Sequence, residues 1–373
     1  MASKVILHIG VQKSGTTFLQ HMLQDNNDLL AAEGVCYPIS KDWSLGRRSV
    51  ANHEWSSYGL LGAEYPWVTA KQAAAQSGSW QALLEQVHAE AGTVLLSAEA
   101  LSVIREPAIG RVMDALGADD VQVVITARNL ARSLASLWQQ HVRNGRSTSF
   151  NSYLENLAEQ RGKGRDHIEH YPDAHVWRAF ILSGLVRRWS QAGASRVHLV
   201  TTPGKPPDLL WHRFAQAVGR PGLAQFPVEV DLNRRGHTGL TAPEILVLAS
   251  LNAAVQEVSR SKRNADRLRK IITEGFQSRE RRGGQVMIPP EWRPRVAEWS
   301  AEDLADLSRT DVHVVGDIDD LRYDPDREQP ATSTPEETGR AAAAAILALA
   351  EQVLSESLVR RLARRVRKRL LPR

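Results

Sequence analysis

Short apolar runs alternate with amphipathic stretches through the first 200 residues. Val5–Ile9 is apolar and stops at Gly10, and Phe18, Leu19, Met22 and Leu23 then recur at helical spacing. Thr93–Leu96, Val121–Thr126 and Val197–Val200 repeat the first pattern, and Trp80–Ala91 and Leu130–Val142 repeat the second. In the last of these, Leu130, Leu134, Leu137, Trp138 and His141 share one face. The runs are continuously apolar rather than alternating, as strands buried on both sides are. Strands interleaved with helices predict an α/β fold: a three-layer sandwich with a central parallel sheet.

Beyond residue 200 the pattern turns mainly helical. Leu209–Val218 and Pro243–Val258 read as helices, with a charged continuation to Phe276. Arg282–Pro294, with Gly283, Gly284 and three prolines, reads as a loop. The polar stretch 324–339 carries three prolines and reads as a linker, and a last helix is expected from about Arg340 to Leu371.

Charge changes the picture only once it is located. The formal net charge is +5, but eight of the 47 basic residues lie in 360–373 with no acid among them. The rest of the chain holds 39 basic against 42 acidic residues, so its body is not a general polyanion binder and no nucleic-acid partner is expected. In the tail, Leu354, Leu358, Leu362, Val366 and Leu370 recur every four residues, with arginines around them. Such a helix suits peripheral contact with an anionic membrane face, or packing against protein. The longest apolar run, Ala341–Ala350, is ten residues, about half of what spans a bilayer. The N-terminus lacks the features of a secretory signal, and Cys36 is the only cysteine; a reducing cytoplasm is the expected compartment.

The candidate chemistry starts in Gly10-Val-Gln-Lys-Ser-Gly-Thr-Thr17, between the first strand and the first helix. A helix N-terminus offers unpaired N–H groups and a positive dipole end, a seat for phosphate. Gly15 lets the backbone approach an anion, the Thr16 and Thr17 hydroxyls add donors, and Lys13 supplies a mobile charge. The glycine spacing is that of the nucleotide-binding phosphate loop GxxxxGK[ST], but Thr16 stands where its lysine would be, and the lysine sits three residues earlier. That disfavours an ordinary ATPase or GTPase.

HIGVQKSGTTFLQ resembles the 5′-phosphosulfate loop of sulfotransferases that use 3′-phosphoadenosine 5′-phosphosulfate (PAPS). The resemblance covers roughly residues 4 to 322. It implies a P-loop-like nucleotide-binding fold with a helical C-terminal half, a sulfotransferase-like α/β domain over 1–323; the linker over 324–339 and the basic amphipathic helix over 340–373, read from composition and periodicity, follow it. It assigns the donor's 5′ side to Lys13, Ser14, Gly15, Thr16 and Thr17. It also assigns the 3′-phosphate to Arg128, which ends a strand, and to Ser136 eight residues later; Leu130 replaces the proline common in the family. The implied activity moves a sulfuryl group from PAPS to a hydroxyl of a glycan, a glycolipid or a small metabolite, by in-line displacement and without a metal. A nucleotide-dependent kinase and a non-catalytic nucleotide-binding protein are the alternatives. No oligomeric state follows.

Two residues are candidates for the base that takes the acceptor's proton. His53, in Ala-Asn-His-Glu-Trp, lies where family members place a base and is the favoured one; Glu99 ends a strand at the presumed active edge. Asp166, His167, His170, Asp173 and His175 crowd together, but Pro172 interrupts them and no metal-site spacing is met, so a solvated loop is expected. Trp43, Trp55, Trp67 and Trp80 could stack an acceptor, though core packing is the ordinary role of each.

Overall fold

Six strands form one all-parallel sheet in the order β2-β3-β1-β4-β5-β6. They are β1 Lys4–His8, β2 Val35–Cys36, β3 Thr93–Ser97, β4 Val121–Ala127, β5 Arg196–Thr201 and β6 His313–Val315. The structure is a computed structural model and describes residues 2–39, 52–203, 206–226, 239–258, 261–279, 283–328 and 333–370, without the side chains of 355–370. The four apolar runs of the sequence are the four longer strands. The two edge strands, of two and three residues, are too short to impose a periodicity on the sequence.

The helices cover both faces of the sheet. On one face Ile6, Leu95, Val124 and Val200 pack with Leu19 and Leu23 of α1 (Thr16–Asp25) and with Trp211 and Phe214 of helix Pro207–Val218. The alternate residues Val5, Leu7, Val123 and Ile125 are equally buried, so neither face meets water. The register places Leu7 beside Leu96 and Val123, and His8 beside Ser97 and Val124. The chain leaves β1 toward β3 on one side and β4 toward β5 on the other. The crevice between β1 and β4 is thus the topological switch point, where open parallel sheets bind ligands.

The chain divides into two units by internal contacts. The first, Met1–Ser133 with Leu154–Glu229 and Trp292–Pro325, holds the whole sheet; the second comprises Leu134–Tyr153, Val230–Glu291 and Asp326–Arg373. In the second unit the last helix runs Pro335–Leu370 and starts inside the stretch expected to be linker. A capping box starts it there: Glu337 N–H donates to Thr334 Oγ1 (3.2 Å), Thr334 N–H donates to Glu337 Oε2 (3.0 Å), and Pro335 opens the first turn. Its first turns are packed: Ala341, Ala344 and Ala345 are buried, and a Cβ on Gly275 would come within 2.5 Å of Ala348 Cβ. The small residues bring helix Lys262–Gln277 close to it. Of the apolar stripe, only Leu354 lies among the described side chains, and it is exposed. Among the described residues no helix is long and apolar enough to cross a membrane.

Candidate functional site

The loop between β1 and α1 is held by polar groups at the ends of three adjacent strands. His8, the last residue of β1, is buried and hydrogen-bonds Ser97 Oγ of β3 through Nδ1 (2.8 Å) and Thr126 Oγ1 of β4 through Nε2 (3.1 Å). Thr126 Oγ1 also meets Ser14 Oγ at 2.8 Å, and the Ser14 hydroxyl donates to Val11 O at 2.6 Å. Val11 N–H donates to Thr126 O and the Thr202 hydroxyl donates to Ser14 O, so β4 and the end of β5 both hold the loop. Burial keeps His8 from accepting a proton and lowers its pKa to about 3, so this pin stays neutral. The sequence analysis missed His8 and Thr126; the signal was one polar residue at the end of each apolar run.

Gly10 fits because nothing else does: a Cβ there would sit 2.1 Å from Thr126 Oγ1. Gly15 has φ +94° and Lys13, which carries a side chain, has φ +69°. A left-handed lysine costs of order 1 kcal/mol and persists only where its surroundings enforce it, as at ligand-binding turns. No side chain caps α1 and no acid occupies its first turn, so its positive end is left for an anion. Thr17 is exposed there, whereas Ser14 is fully buried and its hydroxyl is used inside the loop.

Glu99 follows β3 and faces this loop. The Thr16 hydroxyl donates to Glu99 Oε2, and the Lys13 charge acts on the same carboxylate. Burial, first, and the neighbouring Glu54 carboxylate raise its pKa to about 7 against the lowering effects of Thr16 and Lys13. Glu54 is itself pushed up by burial and accepts a hydrogen bond from Tyr58 (2.6 Å), which accepts one from Trp67 Nε1 (3.2 Å). Two neighbouring carboxylates, both pushed up by burial, thus lie beside the loop, and Lys13 acts on one of them, Glu99.

The expectation that His53 is the base is corrected. His53 is 1% exposed, its Nδ1 accepts the Ser97 N–H (3.0 Å), and its Nε2–H donates to Pro38 O (2.7 Å). Both nitrogens are taken, burial lowers its pKa to about 4, and its ring packs against Tyr37 at 4.7 Å. It braces the end of β3. Its sequence neighbour Glu54 belongs to the site, and the helix Asn52–Leu61 presents the two on different sides.

Arg128 follows β4, the next strand along the edge. Its Nη2 donates to Arg132 O, while its buried Nε–H finds no acceptor among the described residues. No described carboxylate pairs with it, and burial and Arg132 lower its pKa to about 10. A buried guanidinium without a counter-ion is a poor structural element and a good anion receptor. It borders a recess lined by Val11, Ser133, Phe180 and Leu182. Ser136, half-buried on the same helix, falls in the second unit.

The histidine-rich segment resolves into separate pairs. His167 meets Asp173 at 3.3 Å, His170 meets Asp166 at 3.1 Å, and the His175 ring lies 5.7 Å from Trp67. Among the described residues no three metal-ligating side chains converge. Trp80 is core, Trp55 and Trp67 are about 40% exposed, and Trp43 lies outside the described residues.

Fold and site together define an α/β protein with a glycine-bearing loop and an uncapped helix start at its switch point, the carboxylates of Glu99 and Glu54 beside that loop and, one strand away, an arginine with no described carboxylate partner. No protein-family model matches the chain, and no curated protein matches it. A sulfotransferase from Alicyclobacillus acidocaldarius is a structural neighbour, at 12% identity and a TM-score of 0.45, over 83% of this chain and 95% of that one.

Proposed function

We propose that this protein is a sulfotransferase that takes PAPS as donor and a hydroxyl as acceptor. The observation that carries the proposal is the joint placement of Lys13, Thr16 and Glu99 at the open end of α1. The residues fit the donor. The uncapped helix end and Lys13 suit its 5′-phosphosulfate, and the counter-ion-free Arg128 suits its 3′-phosphate. Arg128 also separates this donor from ATP, which has no 3′-phosphate to offer it.

In the proposed reaction the acceptor oxygen attacks sulfur and the bond from sulfur to the 5′-phosphate oxygen breaks. The acceptor's proton passes to the Glu99 carboxylate, and Lys13 meets the charge that grows on the leaving oxygen. A carboxylate with a pKa of about 7 is suited to this, because it is available as base at neutral pH and basic enough to pull. Glycans, glycolipids and small metabolites with a free hydroxyl are the acceptor classes, and a lipid-linked acceptor would suit a basic tail at a membrane surface.

The test is a thermal shift followed by turnover. Adenosine 3′,5′-bisphosphate should stabilise the protein without magnesium, and radiolabelled PAPS should label an acceptor in an extract. A preference for magnesium-ATP would establish a kinase instead. Donor-product binding without any transfer would leave a nucleotide-binding protein.

A further inference from the structure

A second concentration of positive charge lies in the first unit, in a cavity of about 830 Å³ lined by residues of helices Glu106–Leu116, Gly164–His170 and Leu182–Gln191. Five arginines border it, Arg105, Arg111, Arg165, Arg187 and Arg188, against three lining acids, Glu64, Glu106 and Glu169, and Arg165 is paired outside the lining with Asp306 at 2.9 Å. Glu64 serves two of the arginines, Arg105 at 2.9 Å and Arg111 at 3.8 Å. Arg188 is 4% exposed, binds Glu169 at 2.6 Å and keeps a buried Nε–H with no acceptor among the described residues. Arg187 lines the same cavity half-buried and pairs with no described carboxylate.

Behind this wall sits Arg178, 1% exposed. Its guanidinium rests on the carbonyls of Val103, Ile168 and Tyr171 and on no carboxylate. Arg188 and Arg105 repel it, and burial with that repulsion lowers its pKa to about 10. Buried cations in excess of their acids are costly unless an anion completes them. The Glu169–Arg188 pair packs closely on Gly184, where a Cβ would lie 3.0 Å from Glu169 Oε1 and in ordinary contact with Arg188 Nη1 at 3.5 Å. None of these residues belongs to the loop, Glu99 or Arg128.

We propose that this cavity is a second anion-binding site, which takes the phosphate, sulfate or carboxylate group of a small organic ligand between Arg187, Arg188 and Arg105. The volume is that of an ordinary small-molecule pocket and exceeds what a lone inorganic anion fills. Guanidinium forks are the donors suited to oxyanions. The site is independent of the proposed reaction.

The test uses the full chain carrying Lys13→Ala and Arg128→Ala, so that the loop contributes nothing, with sodium phosphate compared against sodium chloride at matched ionic strength. Phosphate should raise Tm by about 2–4 °C in this background. Arg187→Gln, at a half-exposed position that folding does not require, should weaken phosphate binding at least tenfold, and Arg188→Lys should also weaken it. Glucose 6-phosphate is the second probe. Tighter binding than phosphate assigns the anion to an organic ligand, as proposed; no tightening overturns that part. A phosphate response absent from the Lys13→Ala/Arg128→Ala chain, or untouched by Arg187→Gln, overturns the site and leaves the proposed function standing.

Discussion

Replacing Glu99 by glutamine separates the catalytic role of its charge from the structural role of its shape. Glutamine keeps an oxygen to accept the Thr16 hydroxyl, fills the same volume and cannot ionise. The carboxyl's pKa stands at about 7 in the folded protein against 4.5 when unperturbed. The folded state therefore binds more protons than the unfolded chain between pH 4.5 and 7, and Glu99 costs stability as pH rises through that window. With full desolvation the cost above pH 7 is on the order of 3 kcal/mol. Solvent still reaching this half-buried group, and its electrostatic coupling to Glu54, reduce it to about 1–2 kcal/mol.

Glu99→Gln should thus raise Tm at pH 8 by about 2–5 °C, and by roughly a quarter as much at pH 5, where the folded carboxyl is already protonated. The same variant should lose about 100-fold or more in turnover, the usual worth of a general base. Calorimetry at the two pH values and single-turnover transfer from PAPS read both effects. A Tm that falls at pH 8 would refute the burial argument. Turnover within tenfold of the parent would refute Glu99 as base.

The other sites give separable outcomes. Lys13→Ala should lower kcat more than donor affinity, by over tenfold, since its charge matters most as the leaving oxygen becomes anionic; an effect confined to KM excludes that role. Arg128→Ala should reduce affinity for adenosine 3′,5′-bisphosphate and spare adenosine 5′-monophosphate, and equal losses in titration calorimetry would place it elsewhere. His53→Ala leaves Ser97 N–H and Pro38 O without partners and should cost about 2–4 kcal/mol in urea unfolding. Its folded fraction should keep its turnover, and loss of chemistry at full stability would restore His53 as base. Because the last helix is packed as far as Ala348, membrane contact is tested with a chain ending at Leu354. The full chain should pellet with anionic vesicles in low salt more than this one does, and equal pelleting ends the membrane reading.

The sheet was legible because a strand buried on both faces needs an unbroken apolar run, and Val5–Ile9, Thr93–Leu96, Val121–Thr126 and Val197–Val200 are such runs. The loop was legible because its two glycines stand close together in the sequence, Gly15 at φ +94° and Gly10 where Thr126 leaves no space, although Thr126 itself comes from a distant strand. The choice between the two candidate bases, His53 and Glu99, was not, because it depends on which groups folding consumes. His53 and Glu54 are adjacent in sequence and look equally able to take a proton. Ser97 N–H and Pro38 O lie 44 and 15 residues from His53, and only the closed fold brings them to consume its two nitrogens.

The same reasoning explains why polar strand ends carried information that periodicity ignored. His8, Ser97 and Thr126 look like interruptions of apolar runs, yet the parallel register sets Ser97 beside His8, and Thr126, two residues past the Val124 that pairs with His8, reaches the other ring nitrogen. A buried imidazole and buried hydroxyls are tolerable only if each is satisfied, and here they satisfy one another and the Ser14 hydroxyl as well. The loop is therefore fixed by the strands themselves, and that support holds Lys13 in its left-handed conformation. Loss of that support, rather than of any donor contact, is what Thr126→Val would cause: it removes the hydroxyl shared by His8 and Ser14 while keeping the shape, and so releases the lysine from the position facing Glu99.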